Sequence, residues 1–190
     1  MTTIITILTE GFADWETGLL NGAGSGFYEI TTLYASPGGL PVTSMGGMKV
    51  QPQLALEDID LDLVDGVIVC GGSSWQQPGA PDLTALLRAA RGKGKVIGAI
   101  CDGTVATART GILDDVAHTS NGAGYLEPTG YGGKAHYQDV PHAVSDRKIV
   151  TAAATAPVSF MREIMRALGK GDEQLDYYIG LHAAQFDKAA

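Results

Sequence analysis

Residues 96–105 read VIGAICDGTV. The apolar run Val96–Ile100 has the composition of a strand buried on both faces, and it leads straight into Cys101. Gly98 and Ala99 precede the cysteine, Gly103 follows it by two, and Thr104-Val105-Ala106 begins a helical stretch. A sharp strand-to-helix turn lifts a thiol out of the sheet, small neighbours let the backbone bend, and the next helix turns N–H groups toward a developing anion. The pattern outlines a nucleophile elbow at Cys101. Read as packing, the same cysteine is a small buried hydrophobe, and the elbow shape favours the nucleophile.

Working outward, the run at 67–70 reads as a second doubly buried strand, stopped by Gly71-Gly72. A helix is predicted at 81–91 and released by Gly92-Lys93-Gly94 into the strand before Cys101. The first strand is placed at 3–8, a helix begins at Asp14-Trp15-Glu16, and the second strand runs over 28–35 to Ser36-Pro37-Gly38-Gly39. VTSMGGMKVQP at 42–52 suggests a small structural hairpin outside the main sheet, with 54–59 as a link. After the elbow helix, residues 117–120 are a strand candidate. HAVSDRKIVTAA predicts a hairpin turning at Ser145-Asp146-Arg147, followed by helices over 157–168 and 172–190. Strands alternating with helices mean parallel βαβ units and an α/β fold.

With 190 residues, 45% hydrophobic and 18% charged, the chain can bury one sizeable core, so a single domain over 1–190 is expected. A formal charge of -8 without a Lys/Arg cluster argues against nucleic acid and for a small-molecule partner. The opening MTTIITILTEG has no basic leader and too short an apolar run for a signal or membrane span, which predicts a cytoplasmic protein with no membrane partner. Its two cysteines, Cys70 and Cys101, make no secreted disulfide framework. Cys70 ends a strand and is read as packing. No His/Cys spacing suggests a metal and no Gly-x-Gly-x-x-Gly follows the first strand, so no metal or cofactor is expected.

FADWET, VTSMGG, the Gly-Gly loop before Trp75, AICDGTVATARTGILD, HTSNGAGYLE and VSDRKIVTAAATAPVSFMREI occur in this order over most of the chain. Together they resemble the ThiJ/PfpI superfamily, and within it the bacterial branch described as type 1 glutamine amidotransferase-like. The resemblance implies a flavodoxin-like three-layer sandwich with a mostly parallel sheet, an added β-hairpin and a homodimer. It also implies that Glu16 is the acidic residue that hydrogen-bonds the nucleophilic thiol of Cys101. Gly72 and the residue after the nucleophile, Asp102, lend backbone N–H groups to an oxyanion. On its residues alone, Glu16 is a first-turn acid favoured by the helix dipole.

Protease-like members place a histidine directly after the cysteine, and here that position is Asp102. A carboxylate does not replace imidazole as a base near neutral pH, so a peptidase triad is not expected. The late His-x-Glu of glutamine amidotransferases is also missing. Related members read Thr-Ser-Tyr where this chain reads Thr119-Ser120-Asn121, which brings Asn121 to the cysteine. His118, nearest in sequence, is read as a strand-end residue at the edge of the site, and Trp75 as a pocket residue. The activity implied is a cysteine-dependent small-molecule hydrolase or hydratase of glyoxalase or deglycase type. Isocyanide hydration and a non-catalytic redox sensor are the alternatives. Glu16 is expected to carry a raised carboxyl pKa while the thiol of Cys101 stays acidic.

Overall fold

The computed structural model describes residues 1–187, and its organising feature is a seven-stranded sheet. Its strands are β1 (Thr2–Ile7), β2 (Ile30–Ser36), β5 (Leu54–Ala55), β6 (Gly66–Val69), β7 (Val96–Ile100), β8 (Val144–Asp146) and β9 (Ile149–Ala152). They lie in the order β5-β2-β1-β6-β7-β9-β8, and every pairing is parallel except β8 with β9. The helices are α1 (Asp14–Phe27), α2 (Thr84–Gly92), α3 (Gly103–Arg109), α4 (Pro157–Ala167) and α5 (Glu173–Asp187). β3 (Val42–Thr43) and β4 (Lys49–Val50) form a separate antiparallel pair, the hairpin expected from the Gly46-Gly47 turn.

Period-two alternation divides the buried side chains between the two faces. Ile5, Ile7, Val67, Val69, Ile97 and Ala99 pack with residues of α2 and α3, including Leu87 and Val105. Ile4, Ile68, Ile100, Val150 and Ala152 meet α1 and α4 through Leu20, Phe160, Met161 and Ile164. The result is the flavodoxin-like α/β layering with its hairpin. Gly98 carries no side chain because a Cβ there would lie 2.7 Å from Ile164 and 2.9 Å from both Ile68 and Phe160.

Three local expectations are revised. Residues 117–120 form no strand: His118 makes one isolated bridge to Tyr137, because the β8–β9 hairpin already occupies that side of the sheet. The link at 54–59 contributes β5, which extends the far edge beside β2. The β8–β9 turn falls at Arg147-Lys148, both at positive φ (47° and 63°), in a two-residue connection whose twist matches its strands. The expected helix over 172–190 is found as α5, and residues 188–190 of that expectation lie outside the described residues. Among the described residues no helix is long and apolar enough to cross a membrane.

The carboxyl ends of β1, β6 and β7 open on one edge of the sheet, where α/β folds place ligands. The hairpin braces the start of α1 there: Gly46 N–H and Ser44 Oγ both donate to the Asp14 carboxylate, and Met45 N–H donates to the Phe12 carbonyl. That fixes where Glu16, in the first turn of α1, must point.

Candidate active site

Cys101 sits at φ 54°, a left-handed conformation that a non-glycine residue holds only under strain. The elbow is locked from both sides. Cys101 N–H donates to the Ala152 carbonyl, while the Cys101 carbonyl accepts from Thr104 N–H and Thr104 Oγ1. Gly103 makes the turn possible, since a Cβ there would lie 2.4 Å from the Val69 carbonyl oxygen. The thiol is half-buried and the sharp turn presents it at the end of β7.

Glu16 is wholly buried beside it. Its Oε2 accepts from Gly71 N–H at 2.9 Å, its Oε1 is occluded and has no geometric hydrogen-bond partner, and the Cys101 thiol is close enough to act on the carboxyl. Burial pushes the Glu16 carboxyl up to about 7, against the opposing pull of the hydrogen bonds from Cys101 and Gly71. Burial likewise pushes the Cys101 thiol up to about 12, with the charges of Glu16 and Asp102 adding to the rise. The expectation of an acidic thiol is therefore reversed. Burial disfavours the charged form of both, so the two titrate as one coupled pair, and the carboxyl, near 7, is the partner that exchanges a proton around neutral pH.

Asn121 bridges the site to the segment that follows β9. Its Nδ2 donates to Cys101 Sγ at 3.4 Å and its Oδ1 accepts from Ala154 N–H at 2.9 Å, which fixes the amide's orientation. The first contact favours sulfur in its anionic form. Asp102 is nearly buried, and its Oδ1 accepts from Gln76 Nε2 at 2.8 Å and from the Tyr125 hydroxyl. Gln76 also donates to Tyr125 at 2.9 Å, closing a three-residue cluster. Among the described residues, neither Gly72 N–H nor Asp102 N–H donates to a protein acceptor, so both remain available to an oxyanion.

The sequence pattern of the DJ-1/PfpI family matches residues 2–167. The chain belongs to the DJ-1/PfpI family. The DJ-1 superfamily protein Atu0886 from Agrobacterium tumefaciens superposes with a TM-score of 0.92 at 39% identity, over 98% of this chain and 100% of that one. The thiJ/pfpI family protein from Bacillus anthracis gives 0.87 at 27% identity, over 96% and 91%. A relative named uncharacterized protease YoaZ, from Bacillus subtilis (strain 168), is 32% identical over 165 residues, covering 82% of this chain and 78% of its own.

In this DJ-1/PfpI chain the structure brings Cys101, Glu16 and Asn121 into contact, with Gly72 and Asp102 beside them. It separates Trp75 and His118 from that group. Trp75 is wholly buried and donates its indole N–H to the Cys70 carbonyl at 2.8 Å, so it is a core residue and not a pocket wall. Trp75→Phe removes that donor and is expected to cost about 1–3 kcal/mol in denaturant unfolding while leaving Cys101 alkylation near wild type. His118 is also fully buried, with Nδ1 on the Val116 carbonyl and Nε2 on the Tyr131 hydroxyl. Its ring lies edge-on to Tyr131 and Tyr137, and desolvation lowers its pKa. Cys70, buried against Thr17 Oγ1 and the Ala13 carbonyl, is pushed up to about 12 by the same cause. Gln76 and Tyr125 are the residues sequence reading missed, and Tyr125 lay inside a motif quoted whole. The Gly71-Gly72 pair reads in sequence as two N–H groups open to a ligand, whereas Gly71 N–H is taken by Glu16 Oε2.

Proposed function

We propose that this DJ-1/PfpI protein is a cysteine-dependent hydrolase or hydratase acting on a small electrophilic carbon, with Cys101 as nucleophile. The observation that carries the reading is the position of the half-buried Cys101 thiol between the Glu16 carboxyl and the Asn121 amide. As sulfur bonds to a carbonyl carbon, the thiol proton passes to Glu16 and the carbonyl π pair moves onto oxygen. The free N–H groups of Gly72 and Asp102 then hold that oxyanion. In a 2-oxoaldehyde adduct Glu16 returns that proton to the oxyanion, the adduct's C1 proton moves to C2 through an enediol, and water hydrolyses the resulting thioester to a 2-hydroxy acid and the free thiol. A carboxyl near 7 matches that exchange at neutral pH. Reactive 2-oxoaldehydes are the substrates this chemistry fits first, and isocyanide carbon is the second.

The name of the Bacillus relative raises peptide hydrolysis. That chemistry wants an imidazole on the nucleophile, and the residue after Cys101 is Asp102, whose carboxylate is engaged by Gln76 and Tyr125. A peroxide sensor wants an acidic exposed thiol, whereas this one is held high and half-buried. For assembly we carry the homodimer in the same reading: exposed Trp15, Met45 and Met48 beside α1 and the hairpin offer apolar surface to a second copy, and light scattering reads the mass.

The test is consumption of methylglyoxal, of an alkyl isocyanide and of a fluorogenic peptide by wild type and Cys101→Ala. Methylglyoxal loss is expected in wild type alone, with Cys101→Ala at the no-enzyme rate and folded by circular dichroism. Equal consumption by both proteins, or turnover of the peptide alone, overturns the reading.

A further inference from the structure

The charges that act on the Cys101 sulfur come from acids. Glu16 and Asp102 are the charges acting on it, with the Tyr125 phenol behind Asp102. Among the described residues no Lys, Arg or His bonds to Cys101, Glu16, Asp102, Asn121 or Tyr125. Arg109, at the far end of α3, spends an N–H on the Trp75 carbonyl at 2.6 Å.

Asp102 is held in an unusual way for a buried carboxylate. Both of its donors, Gln76 and Tyr125, go to Oδ1. Oδ2 has no protein partner, yet it is not among the fully occluded orphan atoms, so it faces accessible space in a residue only 7% exposed. A carboxylate so placed has one oxygen for anchoring and one for an incoming molecule. Lining by neutral donors leaves its charge uncompensated, and burial keeps solvent from screening it.

We infer that Asp102 is a specificity-determining residue of the Cys101 site, turning away anionic electrophiles and admitting uncharged and amine-bearing ones. The substrate class is then a small neutral carbonyl compound, or one carrying an N–H or O–H donor for Oδ2, and not a carboxylate or phosphate ester. This deepens the reading of Cys101 as nucleophile and rests on it.

The experiment compares alkylation of Cys101 by iodoacetamide and by iodoacetate, followed by peptide mass spectrometry and referred to the neutral thiol N-acetylcysteinamide. Both reagents need the same thiolate, so the ratio of rates cancels any change in thiol pKa and reports the local field. The wild-type ratio is expected at least about fivefold above the reference. It should shrink in about 1 M KCl, where the screening length is roughly 3 Å. Measured at about pH 6, where the Glu16 carboxyl, near 7, holds its proton, Asp102→Asn should bring it within about twofold of the reference, while Asp58→Asn, the same charge change at an exposed residue, leaves it unmoved. A wild-type ratio equal to the reference, one insensitive to salt, or one retained in Asp102→Asn overturns the inference. The salt series needs no variant, so it decides even if Asp102→Asn fails to fold. A thiol that shows the preference but turns over no substrate sinks the proposed function and leaves this inference standing.

Discussion

Turnover through Cys101 is expected to fall about 100- to 10,000-fold when Glu16 is replaced by glutamine, the range lost with a positioned general acid or base. The amide keeps the size of the carboxyl and an oxygen for Gly71 N–H, so the fold should survive. What it cannot do is take the thiol proton. In wild type the rate should climb with pH through about 7 as Glu16 ionises, and then level. In Glu16→Gln that limb should vanish, leaving a rate that follows the thiolate population at about tenfold per pH unit. Stability carries the same signature. The folded carboxyl holds its proton up to about 7 while the unfolded one releases it near the ordinary value of 4.5. Wild-type stability should therefore decline as pH rises through that window, and Glu16→Gln should lose the decline. Alkylation discriminates further: the negative charge of Glu16 raises the thiol, so Glu16→Leu should lower the thiol pKa if the pair is coupled as described. An unchanged alkylation profile with full turnover would reduce Glu16 to an ordinary first-turn residue of α1.

The elbow was legible because its cause is local. A strand buried on both faces, then Cys101, then Gly103 can be read from neighbours in sequence, and the structure returns Val96–Ile100 and a helix from Gly103. The same holds for the Gly46-Gly47 hairpin and for α4, opened by Pro157. What sequence could not supply was the direction of each side chain once elements met. Trp75 beside a glycine loop looks like a lid, but its indole turns inward because the Cys70 carbonyl at the end of β6 would otherwise lack a donor. The thiol's acidity failed for a related reason. A helix start behind Cys101 argues for thiolate, yet α3 is short, and two carboxylates, the neighbouring Asp102 and the distant Glu16, act on the thiol. Only the fold brings Glu16 within reach, and only the fold shows Asp102 anchored by Gln76 and Tyr125.

Gly71→Ala is expected to cost about 100-fold or more in turnover, although a single methyl is added and no functional group is removed. Gly71 has no positive φ, so backbone strain is not the cause. The cause is space. A Cβ at Gly71 would lie 2.2 Å from Glu16 Oε2 and 2.7 Å from Cys101 Cβ, wedged between the two groups that must exchange a proton. Neither neighbour can retreat cheaply: Glu16 is wholly buried on α1, and Cys101 is pinned through Ala152 and Thr104. Relief must come by shifting the carboxyl away from Gly71 N–H or by displacing the elbow. Displacement of about 1 Å is enough for the loss, and the overpacking itself should cost about 1–3 kcal/mol of stability. Gly92→Ala is the control, since nothing lies within 4 Å of its added methyl at the end of α2, and it should be neutral or slightly stabilising. Turnover, denaturant unfolding and Cys101 alkylation measured on the three proteins make the comparison. If Gly71→Ala keeps wild-type turnover and wild-type alkylation, the carboxyl and thiol have room to spare and their close approach is not what drives the chemistry.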